Sequence, residues 1–276
     1  MINQPNPRVS SLRLYDAIDR FRPQVFGDHV HHGLWMRGDE SPADAMRALV
    51  QYIAKQAAVT QGTEICDVGS GYGGTANLLA SDYGARVTGY VDSVPQYEYA
   101  AQNARPEVRF VLGDWLENRL PPESFDRILA IESSEHFSNK LDFFREAARL
   151  LKPGGRLVVA TWLTCERADR IAPAFFLPIL CSLNGFPSLG SFSEYQQFFT
   201  DFGFELESAE DLSLQVRRTW PVSLAQAFAR LKTAEGRALA THHRAEALVL
   251  IANSLIIWSS YLTKMLRYGL FVARKR

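Results

Sequence analysis

Glu64-Ile65-Cys66-Asp67-Val68-Gly69-Ser70-Gly71-Tyr72-Gly73-Gly74 decides the fold. A short apolar run meets four glycines and then a helix-like stretch, so the segment reads as a strand, a tight loop and a helix start. Glycine permits positive φ and close approach of the backbone to a ligand, and the helix N-terminus behind the loop offers free N–H groups. A nucleotide-like ligand is expected here. Gly69, Gly71 and Gly74 satisfy the G-x-G-x-x-G spacing of dinucleotide sites, with Asp92 roughly where a ribose-binding acid belongs, although that spacing alone is a weak signal.

Outward from this loop, apolar runs and helix-like stretches alternate from Glu64 to Arg274. The runs end at Val68, Val91, Leu112, Ala130 and Thr161, the pattern of βα units in a largely parallel sheet. Ser93-Val94-Pro95-Gln96 predicts a capped helix from about Val94 to Ala104. Leu141, Phe144, Ala148 and Leu151 share a helical face, and Pro153-Gly154-Gly155 ends that helix before the strand Arg156 to Thr161. Phe204 to Asp211 reads as a sixth strand and Gly269 to Arg274 as the last. Residues 1 to 55, helical and aromatic, and the apolar insert Leu163 to Phe192 break the alternation. Both are candidate lids over the strand ends, where such sheets bind ligands.

With 276 residues, 47% hydrophobic and 22% charged, the chain is an ordinary globular one, and disorder is excluded. Thirty basic and thirty acidic residues cancel, so nucleic acid is not an expected partner and small molecules are. Cys66, Cys165 and Cys181 are too far apart for a C-x-x-C motif, and their odd count argues against a secreted disulfide framework. A reducing compartment, the cytoplasm, is expected, as Met1 to Ser11 lacks the pattern of a signal peptide. Ala247 to Trp258 is apolar but interrupted by Asn253 and Ser254 and short for a bilayer; it predicts a buried helix, with peripheral membrane contact left open. Oligomeric state is not legible.

Asp67 narrows the ligand. A carboxylate aimed into the loop repels a pyrophosphate but suits the ammonium group of S-adenosylmethionine, whose sulfonium adds positive charge. Gly113-Asp114-Trp115, after the third strand, supplies a carboxylate for an adenine amino group and a ring beside it. Asp67-Val68-Gly69-Ser70-Gly71, Gly113-Asp114-Trp115, Glu132-Ser133-Ser134-Glu135-His136 and Leu151-Lys152-Pro153-Gly154-Gly155 then occur in an order that resembles class I S-adenosylmethionine-dependent methyltransferases. His31-His32-Gly33-Leu34-Trp35, Thr161-Trp162, and Asp211-Leu212-Ser213 leading to Trp220 are similar to the tocopherol methyltransferase-like small-molecule branch.

The resemblance, which covers about Tyr15 to the C-terminus, implies a Rossmann-like, doubly wound, mostly parallel seven-stranded sheet with an N-terminal helical lid and an insert after the fifth strand. It implies one domain over residues 1–276: lid 1–55, cofactor-binding core 56–162, acceptor-side insert 163–200 and the C-terminal part of the core 201–276. It also implies Ser93 and Gln96 at the ribose hydroxyls, where Val91 stands in place of the usual acid and Asp92 follows.

Methyl transfer from a sulfonium needs an acceptor held in line and shielded from water, and a hydroxyl acceptor needs a base titrating near neutrality. His136, after the fourth strand, is the candidate base, with Glu132 and Glu135 as candidate catalytic groups that orient it. His31 and His32 are candidates for facing the acceptor, with Trp35 closing over the methionine end of the cofactor; three imidazoles without a fourth ligand at spacing argue against a metal. Trp162, Phe175, Phe176 and Leu180 are expected to line a pocket for a lipophilic acceptor, or to be core. Arg167, Arg170, Arg217 and Arg218 keep open an isoprenoid diphosphate methylated at carbon. The competing readings are a nicotinamide-dependent dehydrogenase, disfavoured by Asp67 and the order of the C-terminal elements, and a protein that holds the cofactor without turnover.

Overall fold

The computed structural model describes residues 27–167 and 171–276. The first helix, α1 (Pro42–Gln56), starts at an N-cap Ser41 whose hydroxyl accepts the Asp44 N–H, and it buries Leu49, Val50 and Ile53. Then follow β1 (Glu64–Val68), α2 (Gly74–Tyr83), β2 (Arg86–Val91), α3 (Val94–Gln102), β3 (Val108–Leu112), β4 (Phe125–Ile131), α4 (Lys140–Leu150) and β5 (Leu151–Thr164). The second half holds α5 (Ile171–Asn184), α6 (Phe192–Asp201), β6 (Phe204–Asp211), the short α7 (Ser213–Val216), α8 (Thr219–Leu231), α9 (Ala234–His242), α10 (Arg244–Leu262) and β7 (Leu266–Lys275).

One seven-stranded sheet runs in the order β3-β2-β1-β4-β5-β7-β6, and only β7 is antiparallel to its neighbours. Strand order therefore turns back between β1 and β4, and a ligand crevice is expected beyond the carboxyl ends of those two strands. Successive strand residues face opposite layers. Val158 of β5 joins Leu49, Ile53 and Leu79 on one face, whereas Leu157 and Val159 join Phe143, Phe144, Tyr195 and Phe199 on the other.

Three local expectations change. Helix α4 buries Phe143, Phe144, Ala147 and Leu150, while Leu141 is exposed, so its apolar face is rotated from the one expected. Of the N-terminal segment, residues 1–26 lie outside the described residues, and His32 to Trp35 form a buried non-helical stretch ahead of α1. The Ala247–Trp258 stretch is the middle of α10, a helix long and apolar enough to cross a membrane by length and composition. It packs on α8, α5 and β7, yet Leu248, Leu255 and Leu262 keep 57%, 47% and 54% of their surface exposed, so it is not fully buried.

Candidate active site

The loop after β1 needs glycine for two different reasons. Gly69 has φ +77, and a Cβ there would come within 2.6 Å of the Ser133 Cβ, which puts the loop against the turn that follows β4. Gly71 has φ +55 and no atom within 4 Å of its Cβ position, so its backbone is open to a ligand. Beneath them Asp67 is buried and accepts the Ser70 hydroxyl at 2.5 Å. Burial pushes its carboxyl up to about 6, against the opposing effect of that hydrogen bond. The nearby Ser133 hydroxyl is buried and, among the described residues, has no hydrogen-bond partner. An under-compensated carboxylate and an orphaned hydroxyl beside an open glycine backbone fit a ligand carrying an ammonium group and hydrogen-bonding atoms.

At the end of β4 the chain takes a left-handed turn at Glu132, φ +52, an uncommon conformation for a residue with a side chain. The Glu132 carboxylate collects donors from three distant parts of the chain. Oε1 accepts the His32 backbone N–H at 2.7 Å, the His32 Nδ1–H at 2.9 Å and the Tyr268 hydroxyl at 2.9 Å, while Oε2 accepts the Trp162 indole N–H at 2.8 Å. Burial alone would raise this carboxyl, but the charge and hydrogen bonds of His32, helped by His31, hold it down at about 2. Trp220 Nε1 lies 2.8 Å from His32 Nε2 on the far side of the ring. The His32 ring is edge-on to Trp162, Trp220, Tyr261 and Tyr268, with centroids 4.9 to 5.7 Å away.

Glu135 is also buried, but it faces inward. It accepts the Trp162 backbone N–H at 3.1 Å and the Thr161 hydroxyl at 3.0 Å, and burial outweighs these to push it up to about 7. His136 leaves the same turn toward a cavity of about 110 Å³ whose walls include His31, His32, Glu132, Trp162, Phe186 and Trp220. Its ring meets Phe186 edge-on at 5.0 Å. Burial lowers its pKa below the usual imidazole value, against the raising effects of Asp92 and of the hydrogen bond to the Gly185 backbone. Glycine loop and cavity thus both adjoin the turn that follows β4: Gly69 packs on Ser133, and Glu132 and His136 line the cavity.

A methyltransferase-domain family model matches residues 66–159, from β1 into β5. Methyltransferase GfsG of Streptomyces halstedii is 33% identical over 217 residues, which cover 76% of this chain and 78% of GfsG. The chain belongs to the class I S-adenosylmethionine-dependent methyltransferases. The probable tocopherol O-methyltransferase of Oryza sativa subsp. japonica is 31% identical over 245 residues, 78% of this chain, and the chain spans 65% of that relative's length. The solved cyclopropane synthase MmaA2 from Mycobacterium tuberculosis shares the fold, with a TM-score of 0.82 over 100% of both chains at 20% identity.

Within this methyltransferase, Asp67, Gly69 and Gly71 sit together, and Asp114 follows β3, exposed, with Oδ1 accepting the Leu116 N–H at 2.8 Å. Ser93 and Gln96 are half-buried at the start of α3, where Ser93 occupies the cap position without the expected side-chain cap bond. Two aromatic expectations are corrected. The Trp115 ring is buried against Phe137 and Phe143, at 6.0 and 5.4 Å, turned into the core and not laid open beside the loop. Trp35 is a buried strut, its indole donating to Thr219 at 3.0 Å with Arg218 over the ring, so it braces the His-His-Gly segment against α8. In the insert, Leu180 is core and Phe176 is 50% exposed, while the side chain of Phe175 lies outside the described residues. Phe186 from the same stretch lines the cavity instead. Tyr261 and Tyr268, which complete the cage around His32, belong to no motif in the sequence.

Proposed function

We propose that the chain transfers a methyl group to the hydroxyl of a small, largely apolar acceptor seated in the His136 cavity, with His136 as the base. The observation that carries this reading is the position of a weakly basic, half-buried imidazole in an aromatic-walled cavity, on the same turn after β4 against which the glycine loop packs. The bound cofactor supplies an electrophilic methyl group. Asp67 receives its ammonium group, Ser93 and Gln96 its ribose hydroxyls, and Asp114 its adenine amino group. His136 takes the acceptor proton, and Trp162, Phe186 and Trp220 exclude water. Among the described residues lining the cavity there is no Lys or Arg, which favours a neutral acceptor over an isoprenoid diphosphate. Incubation with methyl-labelled S-adenosylmethionine and a panel of phenols, alcohols and prenyl diphosphates tests this; label found only in the diphosphates overturns it.

Two expectations follow for the cofactor. Asp67 must be ionised to pair with an ammonium group, and its pKa is near 6. Affinity for S-adenosylmethionine is therefore expected to rise as pH rises from 5 to 7 and then level off, with protons released on binding at pH 5 to 6. In Asp67→Ala affinity is expected to be weaker and flat with pH. Calorimetry in buffers of different ionisation enthalpy reads both, and equal affinities in the two proteins remove Asp67 from the site. For Asp114, alanine is expected to weaken S-adenosylhomocysteine by more than the roughly 1 kcal/mol expected for Asp114→Asn, as the latter keeps an acceptor oxygen. Parent-like binding by Asp114→Ala places the adenine elsewhere.

A further inference from the structure

Most polar groups on the wall of the His136 cavity are engaged with one another. Glu132, His32 and the Trp162 and Trp220 indoles form one network, and the Ser254 hydroxyl donates to the Leu250 carbonyl at 2.7 Å. Two side chains on the same wall keep a donor hydrogen in reserve. Asn253, in the middle of α10 and 4% exposed, pairs with Asn184, the last residue of α5. Asn184 Nδ2 donates to Asn253 Oδ1 at 3.1 Å, and Asn253 Nδ2 donates to Asn184 Oδ1 at 3.0 Å. The Leu180 carbonyl, 2.8 Å from Asn184 Nδ2, can only accept, so it sets which end of each amide carries the hydrogens. Asn184 thereby uses both of its N–H groups. Asn253 uses one, and its second meets no acceptor among the described residues. Thr219, buried at the start of α8, is similar: its oxygen accepts the Gly33 N–H and the Trp35 indole N–H, and its own hydrogen meets no acceptor among the described residues.

We infer that Asn253 is a specificity-determining residue for the acceptor, its second N–H donating to a carbonyl oxygen that the acceptor carries on a different carbon from the methylated hydroxyl. The inference rests on the proposed hydroxyl acceptor in the His136 cavity and adds its substrate class, a hydroxy-carbonyl compound. A buried donor without a partner costs free energy, so an acceptor oxygen placed there is favoured over an apolar group of the same shape. A carbonyl suits the wall better than a second hydroxyl. It brings no hydrogen of its own, whereas a hydroxyl needs an acceptor as well, and the Glu132 carboxylate on this wall is already occupied by His32, Tyr268 and Trp162. A site built to hydrogen-bond a substrate group rejects the analogue that lacks it, because the site's own polar group is then left unpaired.

The test is calorimetry on the full chain, in the presence of S-adenosylhomocysteine, with 4-hydroxycyclohexanone and 4-methylenecyclohexanol. The second compound keeps the hydroxyl and the shape of the first but has a methylene in place of the carbonyl oxygen. The parent is expected to bind the ketone about tenfold more tightly. In Asn253→Leu that preference is expected to vanish, with affinity for the methylene compound retained. Should the single variant fail to fold because Asn184 loses its partner, the double variant Asn184→Leu/Asn253→Leu removes both amides together and strands neither. Equal affinity of the parent for the two compounds means that water serves the N–H, and it overturns the inference, as does binding of neither compound or a preference that survives in a folded variant. Methyl-labelled S-adenosylmethionine separates this from the proposed function. Label on the oxygen of both compounds with equal KM leaves hydroxyl methylation standing without Asn253, whereas a ketone preference lost in the variant, with no label on oxygen, keeps the Asn253 contact and removes that reading.

Discussion

Glu132→Ala is expected to lose roughly 3–5 kcal/mol of folding stability, the largest effect of any single substitution around the site, read by urea or guanidinium unfolding. The carboxylate is buried and accepts hydrogen bonds from His32, Tyr268 and Trp162. Removing it strands buried donors on β5, β7 and the His-His-Gly segment at once. The same group predicts an acid limb. Its pKa in the folded chain, about 2, lies below the ordinary value of 4.5, so its stabilisation is complete above pH 4.5 and is lost as pH falls toward 2. Glu135 and Asp67 act in the opposite sense. Their folded pKa values, about 7 and about 6, are raised, so they favour folding at low pH and that contribution disappears as pH rises through those values. Stability of the parent is therefore expected to decline as pH rises from about 4.5 to 7 and to fall also as pH drops below 4.5, and Glu132→Ala is expected to lack the acid limb. A Glu132→Ala protein as stable as the parent at pH 7, or one with the same acid limb, means that the carboxylate does not organise these elements.

The sheet and the glycine loop were legible because their information is local. Strand ends at Val68, Val91 and Leu112 coincide with those read from apolar runs and turn residues, and Phe204–Asp211 is a strand over the residues expected. Asp67 announces itself by its place two residues before Gly69. The helical face of α4 was less legible because Phe143 and Phe144 are adjacent and Leu141 is as apolar as either, so periodicity alone does not say which neighbour turns outward. The cage around His32 was illegible for a stronger reason. His32, Glu132, Trp162, Trp220, Tyr261 and Tyr268 come from six separate places in the chain, and no spacing connects them. Glu132 illustrates the cost of reading motifs without partners: beside His136 in sequence it invites a catalytic role, whereas its lone pairs are already taken by donors from elsewhere. Trp35 and Trp115 were misplaced likewise, since an aromatic beside a ligand motif and one packed beneath it have the same local sequence.

His136→Ala is expected to lower turnover roughly 10²-fold to 10⁴-fold on a hydroxyl acceptor while leaving affinity for S-adenosylhomocysteine nearly unchanged, because the loss falls on proton removal and not on the glycine loop. The imidazole must be neutral to accept a proton, so the rate in the parent is expected to climb with pH through the His136 pKa and then level off. An unperturbed imidazole titrates near roughly 6.5. Burial moves this one lower, more than Asp92 and the Gly185 hydrogen bond restore, so the limb belongs on the acid side of that value and the base is fully available at neutral pH. His136→Gln separates the base from a packing role: it retains bulk against Phe186 and hydrogen-bonding capacity toward Gly185 but holds no titratable nitrogen. Both variants are expected to lose the acid limb along with the rate. If His136→Gln retains the parent rate and profile, His136 is a wall of the cavity. If the rate falls but the limb persists, the proton leaves through another group, and His31, whose ring lines the same cavity, is the next to be substituted.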